Sequence, residues 1–559
     1  MNTRVLTIVF SALAISAAPL SVQAIGYHWG HIYGDANDQT VTSVAMDNDG
    51  NVFLTGSYNG SVDFGGGPIT YNGPHQGTFL AKISPMGAEV FSLALDDSLD
   101  YATNRLGTDG LGNVYLANDF RSTVDMGGGS IIAKGFRDGV LAKFDPQGNH
   151  LWSIGIGSVD AQVLLETAKT SVAGQTAISG TFTGAVDFGG TILTANPFKQ
   201  NLFVAMYTNQ GVLVWARHYM GSLVLVTSLS VDVTGNTVIA GYHSGSFDFG
   251  GGNFTTSGYN VFLARYDVSG NHLWSKSLGA DGTFEYAFDV ATDVLGNIAI
   301  TGHFSQPFDL GGGQLTSAGG WDMYVAKFDP NGNHLWSESF GDQNEQRGYT
   351  VAMDGLGEII VGGHFFGAVD FGGIPLVGDP IDYFAARFST SGTHLWSQRF
   401  DVNNIGLPST KPYSIAAAAN LTGRMAFVGS FKDAVNFGGG NLTGAGGWDT
   451  FATAFGETVT GIPGIASGES YLRAHPNPFN PRTTISYSVA RTGPIQLEIY
   501  DVRGRRVRVL ADGWRPVGEH SSSWDGLDDR GQPVASGVYF TRLQSVGQKS
   551  LTQRVVLLK

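Results

Sequence analysis

The sequence predicts an all-β protein: a seven-bladed β-propeller followed by a small Ig-like β-sandwich. Three observations predict it. Glycine accounts for 80 of the 559 residues against only 19 prolines, about twice the usual share of glycine, which points to many tight turns. A self-similar unit recurs seven times through most of the chain. The last copy lacks its final strand, and the segment that follows the N-terminal leader reads as that strand.

The leader comes first. Arg4 supplies a positive start, Val5–Ala18 is an uncharged apolar stretch, and Val22-Gln23-Ala24 places small residues where a signal peptidase reads. This pattern is that of a secretory signal over residues 1–24, too short to span a bilayer, with cleavage expected between Ala24 and Ile25. The chain contains no cysteine. An exported chain without disulfides must draw its stability from its core, and thiol nucleophiles and cysteine metal sites are excluded.

The repeats fill residues 25–456. One landmark, Asp-aromatic-Gly-Gly with Met or Leu replacing the aromatic in two copies, begins at Asp63, Asp125, Asp187, Asp248, Asp309, Asp370 and, as a variant, Asn436. A second, Gly-Asn-His-Leu-Trp, is complete at Gly148–Trp152, Gly270–Trp274 and Gly332–Trp336. It is altered at Gly87–Phe91, Gly211–Trp215 and Gly392–Trp396. A third, Asp-x-x-Gly-Asn, stands at Asp47, Asp109, Asp232 and Asp293, with Glu358 ending the copy that starts at Asp354. Asp accepts backbone N–H bonds, and Gly or Asn tolerates positive φ, so the second and third landmarks are hairpin turns. In the fifth unit they delimit strands at Tyr286–Thr292, Ile298–Phe304, Met323–Phe328 and Leu335–Phe340. Four strands per repeat of this length mean propeller blades. The last unit stops after Phe451–Phe455, and Tyr27–Gly34 is expected to supply its fourth strand and lock the ring. These units resemble the bacterial SBBP-type β-propeller repeat, whose members share no common activity. The resemblance therefore implies a fold and leaves function open.

Residues 457–470 read as a linker of small and polar residues. Residues 471–559 change character. Strands are expected at Thr484–Val489, Ile495–Tyr500, Arg506–Ala511, His520–Trp524, Gly537–Leu543 and Gln553–Leu558, the pattern of a small antiparallel sandwich. The motifs are Asn477-Pro-Phe-Asn-Pro481, Ile499-Tyr-Asp-Val-Arg-Gly-Arg505, Trp524-Asp-Gly526 and Ser536-Gly-Val-Tyr-Phe540. They are similar to the Ig-like domain of flagellar hook-capping proteins and resemble the C-terminal sorting domain of type IX secretion substrates. That second resemblance implies a partner, the secretion machinery, and a location, secreted or on the outer-membrane cell surface of a Gram-negative-type bacterium.

The charge is uneven. From Ser470 to the end there are 13 Lys and Arg against 7 Asp and Glu; the rest of the chain has 19 against 40. An acidic main body argues against a nucleic-acid partner, because basic groups supply most affinity for a phosphate backbone. His150, His272, His334 and His394 recur at one blade position, so they are repeat features and not a converging metal set. The Asp47–Asn51 loop resembles the start of an EF-hand, but Tyr58 stands where a bidentate Glu is needed. The Asp-Phe-Gly-Gly copies open no helix and carry no phosphate-binding lysine. Non-repeated acids gather in the loops that join fourth to first strands: Asp96, Asp97, Asp100, Asp160, Asp281, Glu285, Asp342 and Glu345, with Arg347 beside them. Topology puts these loops on one face, where Asp96, Asp100, Asp281, Glu285, Asp342 and Glu345 are expected to form an acidic rim that binds a cation or a basic partner. No catalytic set, metal site or cofactor site is assignable, so the expected function is a non-enzymatic scaffold for a protein or glycan ligand. Two alternatives are a propeller hydrolase or lyase acting on an extracellular polymer, and a carbohydrate-binding adhesin using Trp321 and Trp448, whose shared Gly-Gly-Trp-Asp context favours packing.

Overall fold

The computed structural model describes residues 25–71, 73, 76–95, 104–195, 201–403, 415–438, 440–457, 472–475, 477, 479, 482–489, 493–515, 518–545 and 550–557. The expected leader over residues 1–24, including Ala24, lies outside them, as do Asp96, Asp97, Asp100 and residues 458–470 of the expected linker. Two compact units divide the chain, Met1–Thr458 and Val459–Lys559. Every regular element among the described residues is a strand.

The first unit has a propeller-like repeat fold of four-stranded antiparallel sheets. The first sheet is built from Gln39–Met46, Val52–Tyr58, Gly77–Ile83 and Glu89–Leu95, in sequence order. The second runs Arg105–Thr108, Val114–Phe120, Asp138–Phe144 and His150–Ile156; the third, Gln162–Thr170, Thr176–Thr183, Asn201–Tyr207 and Leu213–Tyr219. The fourth has Gly221–Val231, Thr237–Asp248, Asn253–Tyr266 and His272–Leu278; the fifth, Glu285–Thr292, Ile298–Phe304, Asp322–Phe328 and His334–Phe340. The sixth comprises Gln346–Met353, Ile359–Val369, Leu376–Phe388 and His394–Asn403, and the end of its last strand pairs on with the hairpin Ala434–Asn436 and Asn441–Thr443. The seventh takes Ile415–Ala419, Met425–Phe431 and Asp449–Glu457 from one end of the unit and Ile25–Tyr33 from the other. In this last pairing Ile32 stands opposite Phe451 and Trp29 opposite Ala454, so the strand expected from the sequence is present.

The apolar core lies between sheets. One buried cluster joins Phe53 and Leu80 of the first sheet to Leu116 and Phe144 of the second. Equivalent clusters fill each following junction, through Ile360 and Tyr383 of the sixth sheet with Phe427 and Phe455 of the seventh. A final cluster joins Trp29, Ala426 and Ala452 of the seventh sheet to Val41 and Leu54 of the first. The order of packing is therefore cyclic. Both faces of the second and third strands are covered, so these strands are buried end to end and read as continuous apolar runs, with no alternation.

The landmarks acquire physical roles. In the Asp-aromatic-Gly-Gly hairpins the aspartate caps the turn: Asp309 Oδ1 accepts the N–H of Gly311 at 2.7 Å and of Gly313 at 3.1 Å, and both glycines have φ above +100°. The aromatic closes the outer end of a junction. Phe371 meets Phe340 of the preceding sheet at 5.0 Å and Phe384 of its own at 5.0 Å. The middle glycine leaves room for the recurrent histidine; a Cβ on Gly312 would lie 2.0 Å from His334. The glycine near the end of the second strand faces the bulge in the first strand. A Cβ on Gly302 would lie 1.8 Å from the Tyr286 carbonyl, beside the register shift between Ala287 and Asp289. Asn118 replaces that glycine in the second sheet, where the described pairing begins only at Arg105.

The second unit is an Ig-like domain of two sheets. One is Leu472–His475, Thr483–Val489 and Gly518–Trp524; the other orders Arg506–Arg515, Gly493–Asp501, Gly537–Ser545 and Leu551–Leu557. Fully buried Trp524 packs against Phe479 at 5.3 Å and Tyr539 at 5.0 Å. The Asn-Pro-Phe motif holds the last strand: Asn477 Oδ1 accepts the Val556 N–H, and its Nδ2 donates to the Arg554 carbonyl. The strand at Leu472–His475 is additional to those expected, too short and polar to announce itself in the sequence.

Candidate functional site

Each first strand of the propeller-like unit has two ends, and they differ. At the end where it turns into the second strand, residues from all seven sheets line one cavity of about 220 Å³. Its polar floor is the repeated turn: Asp47, Asp109, Asp232, Asp293 and Asp354, with Asn420 in the seventh sheet. These aspartates are buried and already engaged. Asp47 accepts from the Asn51 backbone at 2.8 Å and from the Asn51 amide at 2.7 Å, with Lys82 3.8 Å away. Corresponding cations are Lys143, Arg265, Lys327 and Arg387. The EF-hand-like stretch at Asp47 is thus a closed turn with an internal counter-ion. Among the described residues no group of three or more His, Asp or Glu is placed to hold a metal. His150, His272 and His334 instead share hydrogen bonds of 3.0–3.1 Å with Ser153, Ser275 and Ser337.

The opposite end carries the residues expected to form an acidic rim, and the structure gives them separate tasks. Asp342 is a loop clamp: it accepts from Asn344 N, Ala368 N and Gln346 Nε2, and these donors hold its carboxyl below the usual range. Asp281 accepts from Ser257 N and Oγ at 2.7 and 2.8 Å and is likewise lowered. Glu345 pairs with Arg347 at 3.0 Å. Glu285 is wholly buried, inside the first strand of the fifth sheet, and burial pushes its carboxyl up to about 7. Burial takes Glu285 out of the solvent-facing acids, while Asp281 is exposed and Asp342 and Glu345 are half-buried. Asp160 is exposed, with φ at +61°. Asp35 is a clamp equivalent to Asp342, bonded to Asn37, Gln39 and Ser61. The recurring spacing Asp35-x-Asn37-x-Gln39 and Asp342-x-Asn344-x-Gln346 carries that signal in the sequence.

The most distinctive feature of this end is aromatic, and reading the repeats for their shared residues passes over it. Tyr286 meets Tyr242 at 4.8 Å, Tyr259 at 5.8 Å, Trp321 at 5.6 Å and His303 at 5.2 Å. Phe288 continues the cluster to Tyr349 of the sixth sheet at 5.3 Å, and the Arg347 guanidinium lies 5.9 Å from the Trp321 ring. Most of these side chains are half-buried. His303 is buried, and burial together with Arg347 and His364 holds it far below the usual imidazole range, hence neutral. Departures from the repeat produce the cluster. Where the fifth and sixth sheets carry Tyr286, Phe288, Arg347 and Tyr349, the first carries Thr40 and Thr42 and the fourth Leu225 and Thr227. In the third sheet the second of these positions is Glu166. Burial raises its carboxyl to about 7, against the lowering pull of Arg105, whose Nε donates to the Glu166 carbonyl at 2.7 Å. Trp448, paired with Trp321 in the sequence, instead lies under Lys432 at 5.0 Å; both tryptophan carbonyls accept a first-strand N–H at 2.6 Å, from Gln346 and Gln39.

Residues 482–548 match the FlgD Ig-like domain family. An uncharacterized WD repeat-containing protein, L264, of Acanthamoeba polyphaga mimivirus is 24% identical over 288 residues, 43% of this chain and 20% of that protein. The chain thus spans about a fifth of that curated relative. Among solved structures, Sqt1 from Chaetomium thermophilum is 12% identical with a TM-score of 0.35, covering 76% of this chain and 87% of that one. A polysaccharide lyase of family PL25, an ulvan lyase, is 10% identical with a TM-score of 0.37, covering 75% and 97%. Likenesses at these scores assign this chain neither ligand nor activity.

Proposed function

We propose that this chain is an exported, seven-bladed β-propeller of the SBBP type that binds a ligand without transforming it, and that its Ig-like domain serves as a type IX sorting domain. The observation that carries the binding reading is the aromatic cluster of the fourth to sixth sheets. Where the first and fourth copies of the repeat carry threonine or leucine, the fifth and sixth sheets place Tyr, Phe and Arg at a partly open surface, and Tyr242 and Tyr259 of the fourth sheet pack against them. Clustered Tyr, Trp and Arg side chains are what recognition surfaces use, since each offers apolar area with a polar edge. The seven-blade reading is supported by the cyclic order of inter-sheet cores and by a cavity lined from every sheet. Export rests on the leader pattern of residues 1–24, and sorting on the motifs from Asn477 to Phe540. The partner implied for the Ig-like domain is the secretion machinery, and the location is the cell surface or the medium.

Deleting residues 471–559 tests the sorting role. The expected outcome is a folded protein retained inside the cell envelope; unchanged delivery to the surface or medium removes the assignment. One observation favours a second reading, a hydrolase or lyase of an extracellular polymer. Glu166, raised to about 7, has the acidity of a neutral-pH proton donor. Release of new chain ends from a polysaccharide by the full chain, abolished in Glu166→Gln, would establish that reading in place of simple binding.

A further inference from the structure

Aromatic and indole groups in this molecule fall into two kinds. Many of those that build the fold have their polar edges satisfied: Tyr207, Tyr266 and Tyr383 donate to the carbonyls of Phe188, Phe249 and Ser430 at 2.9–3.1 Å, while the polar edges of Tyr33, Tyr58, Tyr219 and Trp396 are sealed from solvent inside the core. Four of the fourth-strand tryptophans are likewise satisfied, Trp152, Trp215, Trp274 and Trp336 donating to carbonyls of the next sheet at 3.0–3.2 Å. At the first-strand end of the fourth to sixth sheets the pattern changes. Among the described residues, the hydroxyls of Tyr242, Tyr259 and Tyr286 and the indole N–H of Trp321 have no protein partner, and none of these atoms is sealed from solvent. Their rings nevertheless hold one another at 4.8–5.8 Å. The result is a rigid aromatic surface fringed with unused hydrogen-bonding groups.

The charge of Arg347 at this surface is offset by a neighbour. Arg347 lies over the Trp321 ring and is paired with Glu345 at 3.0 Å. It offers donors beside acceptors but no net attraction for an anion.

A pyranose ring presents an apolar C–H face bordered by hydroxyls that both donate and accept. Its face suits the half-buried ring surfaces, and its hydroxyls suit the tyrosine hydroxyls, the indole N–H and the Arg347–Glu345 pair. We propose that this surface is a binding subsite for a neutral hexopyranose polysaccharide, with Trp321 and Tyr286 as the stacking platform and Tyr242, Tyr259 and the Arg347–Glu345 pair as the hydrogen-bonding edge. The inference rests on the non-transforming binding role proposed above and names its ligand class.

The test is affinity electrophoresis of the full chain through gels containing laminarin, galactomannan or xylan as neutral probes and alginate as an anionic one, with chain-end release measured in parallel. The expected result is saturable retardation by at least one neutral polysaccharide and none by alginate. Trp321→Ala should weaken binding about tenfold or more. The double variant Tyr242→Phe with Tyr259→Phe keeps the rings and the melting temperature and should weaken binding several-fold. Trp448→Ala should bind as the parent does. Retardation by alginate alone, by no probe, or undiminished in both the Trp321 and the double variants overturns the proposal. A protein ligand captured through these same residues would leave the binding role standing and remove the sugar. Cleavage of a neutral probe would keep the sugar and remove the non-transforming role.

Discussion

Five of the turns between first and second strands carry a buried aspartate, and each faces a lysine or arginine on the third strand of its own sheet. In the third sheet the turn has Ser171 and the strand Met206; in the seventh they are Asn420 and Ala454. The charges are kept or lost as a pair, as expected if an unpaired buried ion is the costly state. Lys327→Met should therefore cost about 3–5 kcal/mol, because Asp293 is left buried and uncompensated. Adding Asp293→Ser, which reproduces the third sheet, should recover at least half, measured by urea unfolding in a double-mutant cycle. Glu285 tests burial without a charged partner. Its carboxyl stands at about 7 in the fold against 4.5 in an open chain. Below pH 4.5 both states hold the proton and there is no penalty. Between 4.5 and 7 the unfolded chain releases the proton while the folded one keeps it, so stability falls, by up to about 3 kcal/mol, and then levels off. Gln39 and Gln346 occupy the same position in the first and sixth sheets. Glu285→Gln should flatten stability between pH 5 and 7 and raise the melting temperature at pH 7.5; an unchanged pH profile would show that Glu285 is ionised in the fold.

The tryptophan of the fourth strand, which Phe91 replaces in the first sheet, ties one sheet to the next. Its indole N–H donates to the turn between third and fourth strands of the following sheet, and its ring covers the glycine of that turn. Trp274 reaches Pro330 at 3.0 Å, and a Cβ on Gly332 would lie 3.1 Å from its ring. The link crosses the seam between chain ends, where Trp29 reaches Pro85 at 3.1 Å. Trp396 is the exception: its indole N–H is buried with no partner among the described residues. The reason is topological. Its acceptor would be the turn joining third and fourth strands of the seventh sheet, and those strands, Asp449–Glu457 and Ile25–Tyr33, are not joined by a turn. Trp274→Phe should consequently cost about 1 kcal/mol more than Trp396→Phe, the net worth of one hydrogen bond. Equal losses in chemical denaturation would mean that ring packing alone holds the sheets together.

Cyclic packing makes the N-terminal strand a structural keystone of the first unit. Ile25–Tyr33 covers the edge of Asp449–Glu457 and supplies Trp29 and Tyr33 to the core shared with the first sheet. Removing it should expose an unpaired edge and open one of the inter-sheet cores. The expected outcome for a chain lacking residues 25–33 is a lower melting temperature together with oligomers in light scattering. A monomer that melts as the parent does would show that the remaining sheets close without this strand. The aromatic surface depends on the same packing, since Tyr242, Tyr286 and Tyr349 come from three sheets.

Turn and strand positions were legible in the sequence because the chemistry that sets them is local. Asp capping a Gly-rich hairpin, glycine at positive φ and apolar strands between such turns recur within a few residues of one another, as at Asp309–Gly313 and Asp293–Asn297. Even the borrowed strand could be read, because a repeat one strand short at its end requires that strand elsewhere. The site could not. Glu285 and Asp342 look alike in sequence, yet one lies buried in a strand and the other clamps a loop. Tyr242, Tyr286 and Tyr349, each an unremarkable departure from its own copy of the repeat, and Trp321, which shares its context with Trp448, are scattered over more than a hundred residues. They meet because sheets about 60 residues apart pack side by side, and only that packing decides which departures share a surface.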